Sequence, residues 1–171
     1  MIALGAADAI RQVDALHWRE FERLVQSLFE ASGYACRYVG GKRDHGADVV
    51  AAKDGDILVV QVKHRSDGHR WVGERAVQGV VTALPLYAGT RAVVVTNSLF
   101  APSVKAVARA HKVVLRDRAW LERELASFCV LCGARVSARV RRWCSDRPDE
   151  FGGSTYCFDH QRRLTDVLRT A

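Results

Sequence analysis

A chain of 171 residues that is 49% hydrophobic is long enough for one compact α/β core, with roughly forty residues left for a small accessory unit. Its 26 Lys+Arg against 19 Asp+Glu give a formal charge of +7, which suits a polyanionic partner such as nucleic acid, although many proteins carry such a bias without one. The opening stretch MIALGAADAIRQVDALHW lacks a basic start and a sustained apolar run, so secretion and membrane insertion are not expected and a cytoplasmic location is.

From Val13 to Ala31, apolar residues at Leu16, Trp18, Phe21, Leu24, Val25, Leu28 and Phe29 have helical spacing, and Gly33 supplies the stop. Tyr34 to Val39 predicts a short strand, and residues 40–46 a loop. Asp48 to Ala52 and Ile57 to Lys63 predict a hairpin around Lys53-Asp54-Gly55-Asp56. Trp71 to Tyr87 is helical, with Val77, Val80, Val81 and Leu84 on one face. Arg91 to Thr96 is an unbroken β-branched run, as in a buried strand. Pro102 to His111 gives a helix with proline in its first turn, Lys112 to Arg116 a strand, and Ala119 to Ser127 a last short helix. Antiparallel strands come first and crossover units follow. The expected fold is therefore α/β, a mixed sheet with helices on both faces. Beyond Phe128 cysteines appear, Gly and Arg increase and long apolar runs stop. This sets a boundary between a domain of residues 1–126 and a module of residues 127–171.

Side chains two apart on a strand share a face, so Ile57, Val59, Gln61 and Lys63 line one side that begins apolar and ends polar. A short hairpin brings Asp48 beside that polar end. Phosphodiester hydrolysis calls for a hard cation on oxygen ligands and an activated water. Asp48 offers a carboxylate, Gln61 an amide oxygen and Val62 a backbone carbonyl; Lys63 can position the water or stabilise charge on the phosphate. On spacing alone the plainer reading is that Asp48 caps a turn and that Gln61 and Lys63 are solvated strand residues. The glycines at 40, 41 and 46, the apolar strand core and a helical glutamate upstream favour the chemical one.

With these residues in place the sequence resembles the Mrr-like restriction endonuclease domain, a branch of the PD-(D/E)XK nuclease superfamily. The resemblance rests on Phe21-Glu22-Arg23-Leu24-Val25, Gly33-Tyr34, Gly46-Ala47-Asp48-Val49-Val50, Gln61-Val62-Lys63, Val77-Gln78 and Val95-Thr96-Asn97. Phe100, Ala106 and Ala110 follow, and about residues 15–125 are covered. It implies a restriction-endonuclease-like fold in which Asp48, Gln61 and Lys63 are the motif's acid, amide and lysine and Glu22 is the helical acid facing the metal. Glu20 competes for that last role. It implies Mg2+, or Mn2+, as the catalytic cation. The family loop often carries an earlier acid, here Asp44, and the position of His64 is variable.

Cys129-x-x-Cys132 and Cys157-x-x-His160 form two ligand pairs with 24 residues between them. That pattern matches a structural tetrahedral Zn2+ site, and a short segment poor in apolar groups gains from such a staple. Cys144 either replaces a ligand or packs as a buried thiol. The stretch also resembles small zinc modules appended to some Mrr-like nucleases.

The expected activity is Mg2+-dependent endonucleolytic hydrolysis of DNA in restriction or defence. The alternatives are an inactive DNA-binding relative and a structure-selective nuclease such as a junction resolvase. DNA contacts are expected at Lys42, Arg43, His64, Arg65 and Asn97, and in the tail at Arg139, Arg141 and Arg142, with His45 and His69 as loop histidines near phosphates. Thr96 and Asn97 either touch the DNA backbone or cap the following turn. A homodimer and a partner protein supplying specificity are further options.

Overall fold

The computed structural model describes residues 6–41, 45–68 and 70–170. Lys42, Arg43, Asp44 and His69 lie outside them. The chain forms two compact units, Val13–Leu121 and a second made of Met1–Gln12 with Glu122–Ala171.

The first unit is the mixed α/β fold that the sequence pattern leads one to expect. Its elements are α2 (Trp18–Ala31), β1 (Ala35–Tyr38), β2 (Val49–Lys53), β3 (Asp56–Lys63), α3 (Arg75–Leu86), β4 (Arg91–Thr96), α4 (Pro102–Ala110) and β5 (Val114–Arg116), with α1 (Ala6–Ala15) before and α5 (Arg118–Leu125) after. The sheet runs β1-β2-β3-β4-β5. The first three strands pair antiparallel and the last three parallel. A two-residue loop joins β2 to β3. Asp54 at φ 49° and Gly55 at φ 82° are both left-handed, the geometry that lets a tight hairpin follow the strand twist.

Two elements differ from expectation. The single helix over Val13–Ala31 is broken at Leu16-His17. His17 caps α2: its ring nitrogen accepts from Arg19 N at 3.3 Å, and Glu20 Oε2 accepts from His17 N at 2.8 Å. Histidine is outside the usual set of cap residues, so the break carries no familiar signal. The helix expected from Trp71 starts at Arg75, because Val72 instead bonds to the chain before α4: Val72 N to Leu99 O at 2.8 Å and Ala101 N to Val72 O at 3.0 Å.

Strand parity divides the sheet's faces. Val59, Ala92 and Val94 pack with Val77, Val80 and Ala83 of α3 and Val104 and Ala108 of α4 in one buried cluster. Opposite partners in an antiparallel ladder share a face. Tyr38 pairs with Val49 and Val49 with Val60, so all three belong to the other face. Tyr38 reaches α2 there.

The second unit has little apolar interior. Cys129, Cys144, Phe151 and Tyr156 form its core, with Val136, Cys157 and Leu164 packed around them. It carries α6 (Ala138–Ser145), α7 (Pro148–Phe151) and α8 (Phe158–Thr170). None of these was anticipated from the sequence, whose apolar spacing is too sparse there to show a helical period. Ser137 caps α6 through Val140 N at 3.3 Å.

Among the described residues no helix is long and apolar enough to cross a membrane.

Candidate active site and Cys/His cluster

Asp48 sits where β2 and β3 begin to part. Continuing the ladder register places it opposite Gln61. Its backbone still belongs to the sheet, with Asp48 N donating to Val60 O at 2.8 Å and Asp48 O accepting from Val39 N and Gly40 N at 2.9 and 3.1 Å. Its side chain takes over one more ladder position: Oδ2 accepts from Val62 N at 2.7 Å. The carboxylate is only 6% exposed and is thus aimed by the main chain of the neighbouring strand.

The loop before it is held just as closely. Gly46 has φ 92°, and a Cβ there would stand 2.7 Å from the backbone of Gly79 on α3. Only glycine satisfies both the conformation and the contact. Gly79 serves a second neighbour, since a Cβ on it would come within 3.1 Å of the Gln61 amide.

Gln61 is buried on that face, and its amide orientation follows from its partners. With nitrogen toward Ala76 O at 2.5 Å, its oxygen accepts from Lys63 Nζ at 3.1 Å. Lys63 is half-buried, and its carbonyl accepts from Thr96 Oγ1 at 2.6 Å.

Glu22 comes from α2, and at 6% exposure it is not an ordinary solvated helix residue. Its Oε2 accepts from Tyr38 Oη at 2.7 Å. This hydrogen bond, burial and the charge of Glu22, with Asp48 adding to them, raise the Tyr38 pKa to about 12, against the opposing pull of Arg23. The phenol therefore remains a donor through the neutral range. Arg23 lies over its ring at 3.8 Å. Glu20, the competitor, is bonded to His17 at the helix start. Tyr38 was missed from the sequence, because nothing in the spacing ties residue 38 on β1 to residue 22 on α2; only their packing against each other does.

The flanking candidates divide. Asn97 has no exposed surface; its Oδ1 accepts from Arg65 N at 2.8 Å and its Nδ2 donates to Arg65 O at 2.7 Å and Asp14 Oδ1 at 2.8 Å. Thr96 is likewise buried; its Oγ1 donates to Lys63 O at 2.6 Å and accepts from Ser98 N at 3.1 Å, so it closes the turn after β4 while Asn97 fastens the chain leaving β3. His64 is half-buried, with Nε2 3.0 Å from Val13 O and its ring against Phe21. Arg65 Nε is buried without a hydrogen-bond partner.

In the second unit Cys129, Cys132, Cys157 and His160 bring their ligand atoms within 4.8 Å of one another. The Cys132 and Cys157 sulfurs are 3.8 Å apart, and His160 Nδ1 is 3.5 Å from Cys129 Sγ and 3.2 Å from Cys157 Sγ. A tetrahedral zinc with Zn–S bonds of about 2.3 Å has S···S edges of about 3.8 Å, so the cluster fits that ion. A tight knuckle shapes the first pair, with Gly133 N on Cys129 O and Cys129 N on Ala134 O, each 2.8 Å, and Gly133 at φ 68°. Burial pushes the Cys129 thiol up, but N–H donors of Cys157, Leu131 and Cys132 outweigh it and bring it to about 6, favouring the thiolate a metal needs. Cys144 stands outside the cluster. Its sulfur accepts from Tyr156 N at 3.4 Å and Gln161 Nε2 at 3.2 Å within the small core. Arg141 bonds Arg123 O and Ser127 Oγ at 3.1 and 3.0 Å, whereas Arg139 and Arg142 are exposed.

The Mrr_cat family, described as "Restriction endonuclease", matches residues 13–125. No curated protein sequence gives a match. Solved structures share the fold, among them these three. A protein of unknown function, AF1548, superposes with a TM-score of 0.55 at 16% identity, over 81% of this chain and 80% of its own. The MspJI restriction endonuclease, solved in complex with a 27-mer oligonucleotide, gives 0.53 at 15% identity over 94% of this chain. The DNA modification-dependent restriction endonuclease AspBHI gives 0.55 at 16% identity over 84%. The chain spans 39% of the length of MspJI and 40% of that of AspBHI.

Proposed function

The chain belongs to the Mrr_cat restriction endonuclease family, and on that premise we propose that it is a divalent-metal-dependent endonuclease hydrolysing DNA in restriction or defence. The observation that carries this reading is the burial of two carboxylates, Asp48 opposite Gln61 in the β2–β3 register and Glu22 bonded to Tyr38 on β1. Buried carboxylates are costly unless a cation compensates them. Two of them with an amide oxygen and the Val62 carbonyl make a hard oxygen set that suits Mg2+ or Mn2+.

A bound cation, held by Asp48, Gln61 and the Val62 carbonyl, would supply charge to polarise the phosphate and acidify a water. The protein's own groups do the positioning. Val62 N holds Asp48, Tyr38 holds Glu22, and Gln61 holds the Lys63 ammonium where charge develops on the phosphate. Water adds to phosphorus and a P–O ester bond breaks. Arg65, half-buried two residues after Lys63, is assigned as a donor to a phosphate oxygen near this end of the sheet.

For the second unit we propose a structural Zn2+ on Cys129, Cys132, Cys157 and His160, with Cys144 as a packing thiol. We take the nuclease domain as residues 1–126, the zinc module as 127–171, and the location as cytoplasmic, where the DNA is.

The test is cleavage with Mg2+ of plain duplex, modified duplex, single-stranded and branched DNA by the wild type and by Asp48→Asn and Lys63→Ala. Wild-type cleavage lost in both variants supports the reading. Full activity in both overturns the site. Salt-sensitive DNA binding without cleavage would return the chain to the inactive-relative alternative, and cleavage confined to branched DNA to the resolvase one.

A further inference from the structure

Residues 139, 142, 143 and 146 share the outward side of α6, while Cys144 at 1% exposure faces the small core. With Ala138, they line a depression of about 330 Å³. Trp143 is 51% exposed although Arg147 covers part of it, the guanidinium lying 3.4 Å from the ring centroid. More than half of the largest side chain type is left to solvent on a helix whose core contact is made by its neighbour. That exposure has no packing role.

The arginines around it are not equivalent. Arg135 pairs with Glu124, Arg141 is bonded to Arg123 O and Ser127 Oγ, and Arg147 is taken up by Trp143 and Glu150. The side chains of Arg139 and Arg142 have no hydrogen-bond or ion-pair partner among the described residues, and both line the depression. Asp146 is the one acid in the lining and leaves it net positive. An accessible aromatic face beside unpaired guanidiniums is what a single nucleotide requires: stacking for the base and cations for its phosphates. A duplex does not offer the face of an internal base. The volume, near the lower end of the 300–1,000 Å³ range of ligand sites, suits one nucleotide rather than a protein element.

We propose that this face of α6 is a second nucleic-acid site that takes an unpaired nucleotide, its base stacked on Trp143 and its phosphates on Arg139 and Arg142. The site deepens the reading of the chain as a DNA-acting protein, yet it is testable without cleavage. The experiment measures binding by the zinc-loaded full chain, in buffer free of Mg2+, to a labelled short oligothymidylate, an abasic strand of equal length and a duplex of equal length. Wild type should bind oligothymidylate about tenfold more tightly than the abasic strand. Trp143→Ala should abolish that difference at unchanged zinc content, and Trp143→Phe should keep most of it. Arg139→Ala should weaken the binding of both single strands and lower the salt slope by about one. Equal binding of abasic and thymidylate strands by the wild type overturns the proposal, with no variant needed. So does a base preference that persists in Trp143→Ala, or an equal loss on duplex in that variant. None of these results depends on whether the active site cleaves.

Discussion

The two units hold their functional groups in opposite ways. In the first, a thirteen-residue buried cluster builds a stiff sheet, and the sheet then orients polar groups through backbone hydrogen bonds, as Val62 N does for Asp48. In the second, the cluster is four residues, two of them cysteines, and the ligands themselves are a large part of what would hold the chain together. A site of the first kind is a consequence of the fold. A site of the second kind is a condition for it. Removing a functional side chain should therefore cost activity in one and structure in the other.

The largest expected effect sharpens that contrast within the first unit. Lys63→Ala should reduce cleavage on the order of a thousandfold with an unchanged melting transition, since the ammonium fills no core space. A large fall in melting temperature would mean that the lysine is structural. Next, Cys132→Ser with Cys157→Ser should remove about one zinc per chain and make residues 127–171 sensitive to protease while residues 13–121 stay protected. Protease resistance throughout, with zinc absent, would break the comparison. Tyr38→Phe should be smaller: Glu22 keeps its charge but loses the group that aims it, so about tenfold more Mg2+ is needed for half-maximal cleavage, with stability down by about 1 kcal/mol. An unchanged Mg2+ requirement would leave Tyr38 as packing only. The smallest effect belongs to Cys144→Ala. It should lower the module's stability by about 1–2 kcal/mol through a small cavity and lost contacts to Tyr156 N and Gln161, with full zinc content. Loss of zinc in that variant would make Cys144 a ligand after all.

What the sequence revealed follows the same division. The hairpin, the strand Arg91–Thr96 and the crossover helices were legible because a large core imposes strong periodicities, two along strands and 3.6 along helices. Asp48, Gln61 and Lys63 were legible as a group because strand parity and a two-residue turn fix where they lie. Tyr38 was not, because its partner is on a helix and the two meet only when α2 packs against β1. The break at His17 was hidden by an imidazole acting as a cap. Asn97 was left with two readings because a buried amide bonded to backbone and an exposed amide awaiting a phosphate are the same letter in a sequence. In the module the cysteine spacing picked out the four side chains that cluster, while the three helices stayed invisible, since too few apolar residues mark their faces.

The hydrogen bond from Val62 N to Asp48 bears on how such an enzyme can lose its activity over generations. On the proposed reading, replacing Lys63 should silence the site and leave the sheet alone. Replacing Asp48 with an apolar residue also strands a buried N–H, at about 1–3 kcal/mol, a large share of the stability margin of a small domain. Lineages drifting toward a folded but silent protein would thus shed the lysine first and keep the aspartate. An aspartate surviving in such a relative would be a fossil of the sheet, and a poor witness to catalysis.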